Sequence, residues 1–349
     1  MPCPQLSDRP SVCSLTFVYS PLCPLRDTLH PKPNLMKFRL KILVPIAALA
    51  VYVALAAAPS TTQLIQVMRK HAWAHTNDQA ATTLEAARKT SATSSPEWLA
   101  AVSWLARGSS FVKNWDRAEQ YGTEAFDGSV ALLKDHSVDE NPHLETALGA
   151  GIEVLAHTYD AQGRSSEAVA FLKEQSQNYR GTAVETRIQK NLNLLSLEGK
   201  PMPALEAPDH VGGAKIDPGS LKGKVALFYF WAHWCGDCKE QKPVLEALHR
   251  KYADRGLVIV GPTRLYGYVE QGRDATPLEE LAYIRGRFND RHPLPTWMPS
   301  PISTNNFVQF GVSTTPTLVL VDRKGTVKMY HPGKLPYQDL ASRIEALLG

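Results

Sequence analysis

The pattern of apolar and polar positions divides the chain into a helical part and a part in which strands alternate with helices. Over residues 60–198, Ala, Leu, Glu, Arg and Gln dominate, and strand-like alternation is absent. From about residue 200, short β-branched and aromatic runs alternate with helical stretches. The boundary falls in the Pro- and Gly-rich segment LEGKPMPALEAPDHVGG. We therefore predict two domains, residues 60–198 and residues 200–349.

The second part carries the signals of an α/β fold. Strands are predicted at residues 225–230, 257–261, 317–321 and 326–330, the last two forming a hairpin across DRKG. Helices are predicted at residues 236–252, 277–289 and 336–348. Strand–helix–strand–helix, followed by a hairpin and a closing helix, predicts an α/β sandwich with a mixed sheet.

Two stretches of the helical part resemble each other. VSWLARGSSFVKNWDRAEQYGTEA and IEVLAHTYDAQGRSSEAVAFLKEQ place Leu-Ala and a later Ala at the same separations, where antiparallel helices approach closely. This spacing resembles the tetratricopeptide repeat and predicts an all-α helical-repeat domain. The copies lie 50 residues apart, from Leu105 to Leu155, instead of the roughly 34 of that repeat. Generic helical packing is therefore the alternative.

The first 58 residues have the composition of a leader. Residues 1–35 are rich in Pro and Ser and show no sustained period, which predicts no packed structure. Residues 36–58 join a basic start after Met36 to an apolar run over residues 42–58, and Ala54-Leu55-Ala56 suits a signal peptidase. We predict a secretory signal beginning at Met36, with an uncleaved membrane anchor as the alternative. Both predict an extracytoplasmic, periplasm-like location.

The net charge and the positions of the cysteines exclude some classes of function and point to one pair of thiols. The formal charge is +4, and no basic run is interleaved with aromatic residues, so nucleic acid is not an expected partner. Of the five cysteines, three precede residue 25, and the others are Cys235 and Cys238. If the leader is absent from the mature protein, this pair is all that remains, and no structural disulfide framework accompanies it.

The pair Cys235 and Cys238 lies at the predicted start of a helix. Free backbone N–H groups and the helix dipole stabilise a thiolate there, so Cys235 is the expected nucleophile and Cys238, one turn later, the resolving thiol. This chemistry needs an exposed first sulfur and a shielded second one. A zinc site would need two further ligands of suitable spacing, which the mature chain does not supply. A purely structural pair is the other alternative, and no metal or cofactor is expected.

The segment LKGKVALFYFWAHWCGDCKEQKPVLEAL resembles the thioredoxin-like fold, and most closely its TlpA/ResA-type branch of thiol–disulfide oxidoreductases. The resemblance extends over residues 200–349 and includes the later segment FGVSTTPTLVLVDRKGTV. It implies a cis peptide bond between Thr315 and Pro316, beside which an extended substrate chain pairs. It also implies a set of residues that shape the site, namely Trp231, Trp234, Gly236, Asp237 and Pro243.

Departures from that family concern proton transfer and redox direction. Tyr229 and Gln241 stand where relatives carry the acids that accept the proton of the resolving thiol, so water or Glu240 must substitute. Asp237 disfavours a nearby thiolate, which favours a reductant over a strong oxidant. The alternative role of Asp237 is to complement the helix N-terminus.

These features predict an enzyme, an exported thiol–disulfide oxidoreductase that reduces protein disulfides. Its expected partners are a protein disulfide substrate, an upstream thiol electron donor and a protein bound by the helical domain; a membrane is expected only if the apolar segment is retained. One alternative is a peroxiredoxin-like peroxidase, against which the C-x-x-C pair argues. The other is a non-enzymatic interaction protein whose working part is the helical domain.

Overall fold

The computed structural model describes residues 60–349, which all belong to one compact unit. The leader, the signal or anchor segment and the first three cysteines lie outside the described residues. No helix between residues 60 and 349 combines the length and apolar character that a membrane span requires.

The helical region contains seven α-helices, several of which begin with a side-chain cap. Ser60, Ser95 and Asn114 each accept a hydrogen bond from a backbone N–H in the first turn of the helix that follows. The bounds are α1 Thr61–Ala74, α2 Asn77–Arg88, α3 Pro96–Phe111, α4 Trp115–Leu132, α5 Pro142–Ala161, α6 Ser165–Asn178 and α7 Glu185–Ser196, with a 3-10 turn at Val138–Glu140.

Small residues set the spacing of these helices. The two similar stretches form the helix pairs α3–α4 and α5–α6, and their matching Leu and Ala residues are buried. A Cβ added to Gly151 of α5 would lie 3.0 Å from the backbone nitrogen of Phe126 in α4, which shows how closely those helices pack. The all-α character of this region is therefore observed, whereas the repeat and its tetratricopeptide assignment stay predictions.

The second region is built on a four-stranded sheet. Its strand order is β3-β2-β5-β6, with β2 and β3 parallel and the other pairs antiparallel. The bounds are β1 Asp209–Val211, β2 Val225–Phe230, α8 Gly236–Tyr252, β3 Leu257–Val260, α9 Pro277–Tyr283, a π turn Ile284–Phe288, α10 Asn289–Arg291, β4 Ser300–Ile302, α11 Thr304–Gln309, β5 Thr317–Val321, β6 Val327–Pro332 and α12 Tyr337–Leu348, with 3-10 turns at Pro218–Leu221, Ala253–Arg255 and Glu270–Gly272.

Alternation along β2 gives the sheet a core on each face. Leu227 and Tyr229 pack with residues of α8 and α12, whereas Phe228 and Phe230 pack with residues of α11. All six residues of β2 are buried, which explains why the sequence shows a continuous apolar run there. The predicted sandwich is confirmed. The sequence interpretation missed the two-stranded sheet of β1 and β4 and the helix α11, all of which are short.

The two regions contact each other through α7. Gly311, which follows α11, adopts a positive φ of 61°. An added Cβ there would lie 2.5 Å from the backbone nitrogen of Lys190 in α7, so only glycine permits this approach. After α7, residues 199–202 run beside β6, where the Gly199 N–H donates to the Val327 carbonyl oxygen at 2.8 Å. The last helix of the helical region thus lies directly on the second region, residues 200–349.

Candidate active site

Cys235 and Cys238 are joined by a disulfide at the N-terminus of α8. Cys235 is the N-cap residue, and its Sγ accepts a hydrogen bond of 3.0 Å from the Cys238 backbone N–H. Once the disulfide is reduced, the same N–H and the helix dipole can stabilise a thiolate on Cys235. Gly236 leaves open space above this turn, because no atom lies within 4 Å of a Cβ built there.

The accessibility of the two cysteines differs from the sequence-based expectation. Cys235 was expected to be exposed and Cys238 shielded, yet both are 3% exposed. The bond between the sulfurs holds Cys235 against Cys238, and both join the core between the sheet and α8. In this oxidised form the first sulfur is therefore buried. Trp234, which precedes it, is instead 48% exposed and forms the apolar surface around the pair.

The two tryptophans occupy different environments. Trp231 is buried, stacks on Phe288 with ring centroids 5.8 Å apart, and donates from Nε1 to the Gly261 carbonyl oxygen at 2.8 Å. Trp234 meets Tyr266 edge to face at 5.4 Å. The first therefore fixes the chain leading to the cysteines, and the second is available for contact with a substrate.

The Thr315–Pro316 peptide bond is cis. Thr317, the first residue of β5, pairs with Phe230, the last residue of β2. This pairing brings the cis bond beside the point where the chain leaves β2 for the cysteine turn. The Thr315 hydroxyl is buried and has no hydrogen-bond partner among residues 60–349. The loop that would pair with a substrate chain therefore lies at the same end of the sheet as the disulfide.

Tyr229 and Gln241 both serve structural roles around Cys238. The Tyr229 hydroxyl donates to the Cys238 carbonyl oxygen at 2.7 Å, and burial raises the pKa of this phenol. Gln241 is buried and bridges to Leu335, donating to its carbonyl oxygen at 3.1 Å and accepting from its N–H at 2.7 Å. These side chains fix the turn and the loop before α12. Neither is an acid that could take the proton of the resolving thiol.

Asp237 is paired, which changes the electrostatic argument made from the sequence. Its carboxylate lies 3.1 Å from the Lys334 ammonium, and the same ammonium also contacts the Glu240 carboxylate. Hydrogen bonds from Glu240 and Asp237 raise the pKa of Lys334. Because this cation offsets the negative charge, the effect of Asp237 on a Cys235 thiolate is smaller than the sequence alone suggested.

A buried ionisable pair lies directly before the cysteine turn, and the sequence interpretation missed it. His233 Nε2 is 3.1 Å from Glu280 Oε1 of α9. The Glu280 carboxylate also accepts backbone N–H bonds from Tyr266 and Gly267, at 2.8–2.9 Å. Burial lowers the pKa of His233, although Glu280 opposes that shift. The signal available in the sequence was a histidine inside an otherwise apolar run, FYFWAHW.

A small apolar cavity reaches Cys238 from the side of α8. Its volume is about 260 Å³. Pro243, the proline inside α8, forms one wall, while Trp231 and Phe288 form another. Lys242 and Arg291 also line it. Cys238 therefore borders open space on this side, although its side chain is almost fully buried.

Several known thiol–disulfide proteins are similar to part of this chain. The sequence model of the AhpC/TSA family matches residues 199–264. A thiol:disulfide interchange protein DsbE from Pseudomonas fluorescens biotype C is 29% identical over 154 residues, covering 43% of this chain and 77% of that protein. The thiol-disulfide oxidoreductase ResA of Bacillus thuringiensis (strain Al Hakam) is 28% identical over 128 residues, covering 35% and 65%. A solved structure, a putative DsbE from Chlorobium tepidum, has a TM-score of 0.35 at 23% identity and covers 44% of this chain and 98% of that one.

The fold and the cysteine pair together define a thioredoxin-like thiol–disulfide oxidoreductase domain. The mixed sheet carries a C-x-x-C disulfide at the start of the helix after β2 and a cis proline before β5. The sequence relatives named above are a thiol:disulfide interchange protein and a thiol-disulfide oxidoreductase. The resemblance inferred from the motifs is confirmed for residues 200–349.

Proposed function

We propose that this protein is an exported protein-disulfide reductase that acts through Cys235 and Cys238. The observation that carries the proposal is the placement of Cys235 as the N-cap of α8 with Cys238 one turn later. A thiol at this position forms a stabilised thiolate, and the second thiol lies within bonding distance of it. The pair can therefore cycle between dithiol and disulfide without a cofactor.

The reaction begins from the reduced protein. The Cys235 thiolate attacks one sulfur of a substrate disulfide, the substrate S–S bond breaks, and its leaving thiolate takes up a proton. The Cys238 thiol then loses its proton to water and attacks the Cys235 sulfur. This step releases the second substrate thiol and leaves the Cys235–Cys238 disulfide. Two electrons have passed to the substrate, and an upstream dithiol must supply two electrons to restore the enzyme.

Reduction is the proposed direction, and the support comes from charge. Asp237 lies in the first turn of α8, where its carboxylate disfavours a neighbouring thiolate and so favours the disulfide state of the enzyme. Lys334 reduces this effect. We expect a reduction potential more negative than that of the glutathione couple. An equilibrium titration against glutathione would measure it, and a value as positive as that of a strong oxidant would reverse the assigned direction.

The helical region is proposed to hold a partner protein. An exposed aromatic cluster supports this proposal: Trp73 is 60% exposed and lies 5.4 Å from Phe111 and 6.4 Å from Trp104 between ring centroids. Aromatic residues of this kind are enriched at the centre of protein interfaces. Export rests on the apolar segment at residues 42–58. N-terminal sequencing that finds a mature protein starting well before Ala54 would contradict signal cleavage.

Peroxide reduction is the alternative that the AhpC/TSA match brings forward. A peroxidatic cysteine acts from a Pro-x-x-x-Thr-x-x-Cys setting, whereas Cys235 has the setting Trp231-Ala-His-Trp-Cys and a partner three residues later. A peroxide-consumption assay separates the two functions. Consumption of peroxide at a rate comparable to disulfide reduction would favour the alternative.

Trapping tests the proposed function. Changing Cys238 to Ser leaves the attacking thiolate but removes the resolving thiol, so mixed disulfides should accumulate on Cys235. Changing Cys235 to Ser should leave almost none. Mass spectrometry of the trapped species would identify the substrate cysteine. Equal trapping by both variants, or trapping only through Cys238, would overturn the assigned order of attack and with it the proposed mechanism.

A further inference from the structure

A second, strongly polar cavity lies between the helical region, residues 60–198, and the redox fold, residues 200–349. Its volume is about 670 Å³. One wall is formed by helices α3, α5 and α7, and the other by the loop after β3 and the loop that leads to the cis proline. Its charged lining residues are Arg107, Arg187, Lys190 and Arg264, with Glu145 and Glu153 as the acids.

Three of the cations face a single buried carboxylate. Glu153 lies 2.6 Å from the Lys190 ammonium, 3.1 Å from Nε of Arg187 and 3.7 Å from Nε of Arg107. These cations hold the pKa of Glu153 well below its usual range, although burial opposes them. One carboxylate cannot neutralise three cations. Counting Glu145 and Arg264 as well, four positive groups line the cavity against two negative ones, which leaves two positive charges in excess.

Arg264 has no anionic partner within the described part of the chain. It follows β3, and its guanidinium lies over the rings of Tyr266 and Phe307, 4.9 and 5.2 Å from the ring centroids. Its Nε is buried and lacks a hydrogen-bond partner among residues 60–349, where no carboxylate lies within ion-pair distance of it either. A buried donor without a partner is costly. Arg264 lines the cavity, so its positive charge is available to an anion that enters.

The cavity continues into the loop beside the active site. Ser313 and Thr314 line it, and the next two residues are Thr315 and Pro316 of the cis bond. An extended substrate chain paired with Thr315 advances about 3.3 Å per residue. A side chain a few residues from the substrate cysteine can therefore reach the basic lining. We propose that this junction cavity binds a carboxylate of the disulfide substrate polypeptide, selecting substrates that carry Asp, Glu or a C-terminal carboxylate close to the reactive cysteine.

This inference rests on the proposed function and assigns the helical region a direct part in substrate selection. Arg107, Arg187 and Lys190 come from the helical region, and Arg264 comes from the redox fold. The anion-binding site is thus complete only when both regions are present. The preference for acidic substrates is a property of the junction, whereas sulfur exchange is a property of the cysteine pair.

The test compares disulfide-linked model peptides with the full chain. One peptide carries two Glu residues beside its cysteine, a second carries Gln at the same positions, and both have amidated C-termini. A third has the Gln sequence with a free C-terminal carboxylate, which separates the two sources of the anion. We expect kcat/KM to be roughly threefold or more higher for the Glu peptide than for the Gln peptide at low salt, with the difference lost at high salt.

Two variants assign the preference to the cavity. Arg264→Gln should remove most of the Glu-over-Gln ratio, and Glu153→Gln should increase the ratio. Arg250→Gln is the matched control, because Arg250 is an exposed arginine outside the cavity. Reduction of all peptides at equal rates would overturn the inference alone. Reduction of none would overturn the proposed function, and an equal effect of Arg250→Gln would show that general charge, and not the cavity, is responsible.

Discussion

Each of the two regions buries one carboxylate, and the two are satisfied in different ways. Glu280 of the redox fold is fully buried, accepts from two backbone N–H groups and lies 3.1 Å from His233 Nε2. Glu153 of the helical region faces three cationic side chains at the wall of a cavity. The groups around Glu280 satisfy its carboxylate without an excess of charge. The three cations around Glu153 carry more positive charge than its carboxylate can neutralise. A matched set indicates a structural role, and an excess of charge next to open space indicates a binding site.

The largest expected effect is at Glu280. Replacing it with Ala leaves the Tyr266 and Gly267 N–H groups buried without acceptors and leaves His233 unpaired. We expect the free energy of unfolding to fall by about 4 kcal/mol. Chemical denaturation would measure it. Glu279→Ala is the control: Glu279 is an exposed capping-box residue, and its loss should cost about 1 kcal/mol. Similar losses for both variants would contradict the structural role of Glu280.

Removing the helical region tests whether the redox fold stands alone. A protein beginning at Lys200 should remain a soluble α/β domain that still reduces an insulin-type disulfide. We expect it to lose about 3 kcal/mol of stability, because it lacks Leu197, a core residue, and the cover that α7 gives to Gly311.

A longer protein beginning at Val184 is the matched control, since it keeps α7 and Leu197. It should recover most of the lost stability in a thermal unfolding measurement. An unfolded Lys200 protein would show that the domain boundary is misplaced. Equal stability of the two truncated proteins would show that the α7 contact contributes little.

The dependence of stability on pH should show the contribution of the Glu153 charge. The pKa of Glu153 is lowered in the folded state, so its contribution to stability is present above the unfolded value of about 4.5 and is lost as the pH falls through the folded value. Glu153→Gln should therefore cost about 3 kcal/mol at neutral pH. Below that window the cost should vanish. Denaturation at a series of pH values would check this, and a cost that does not change with pH would contradict it.

The smallest expected effect concerns the charge beside Cys235. Asp237→Asn removes a carboxylate but leaves the Lys334 ammonium, so the pKa of the Cys235 thiol should fall. The fall should be small, because the Asp237–Lys334 pair is exposed to solvent. Ultraviolet absorbance of the thiolate during a pH titration would measure it. Lys334→Gln should shift the pKa upward, and a rise on Asp237→Asn would refute the electrostatic account.

Much of the redox fold could be predicted from the sequence because its signals are local. The bounds of β2, α8 and β5 agree with the prediction, since each is a continuous apolar run or a helix with a clear start. The strands β1 and β4 escaped prediction because three residues carry too little periodicity. Helix α9 continues through a π turn, which no local signal marked.

The site was predictable in part for the same reason. The cysteine pair and the cis proline belong to short motifs that can be read along the chain. The partners of Asp237 and His233 could not be read in this way, because Lys334 and Glu280 lie 97 and 47 residues away in sequence. The burial of Cys235 depends on the disulfide, a covalent state that sequence does not specify.

The segment that joins the two regions also covers an edge of the sheet to which a second chain could otherwise add. Strand β6 is an outer strand of the sheet, and such strands present free N–H and C=O groups to which a second chain can add. Here residues 199–202 occupy those groups: Val327 exchanges hydrogen bonds with Gly199 and Lys200, and Gly325 accepts one from Met202. The Glu198 carboxylate accepts from the Tyr330 N–H further along the strand. The linker therefore covers this edge of the sheet, and a cut that removed it would leave a surface prone to edge-to-edge aggregation.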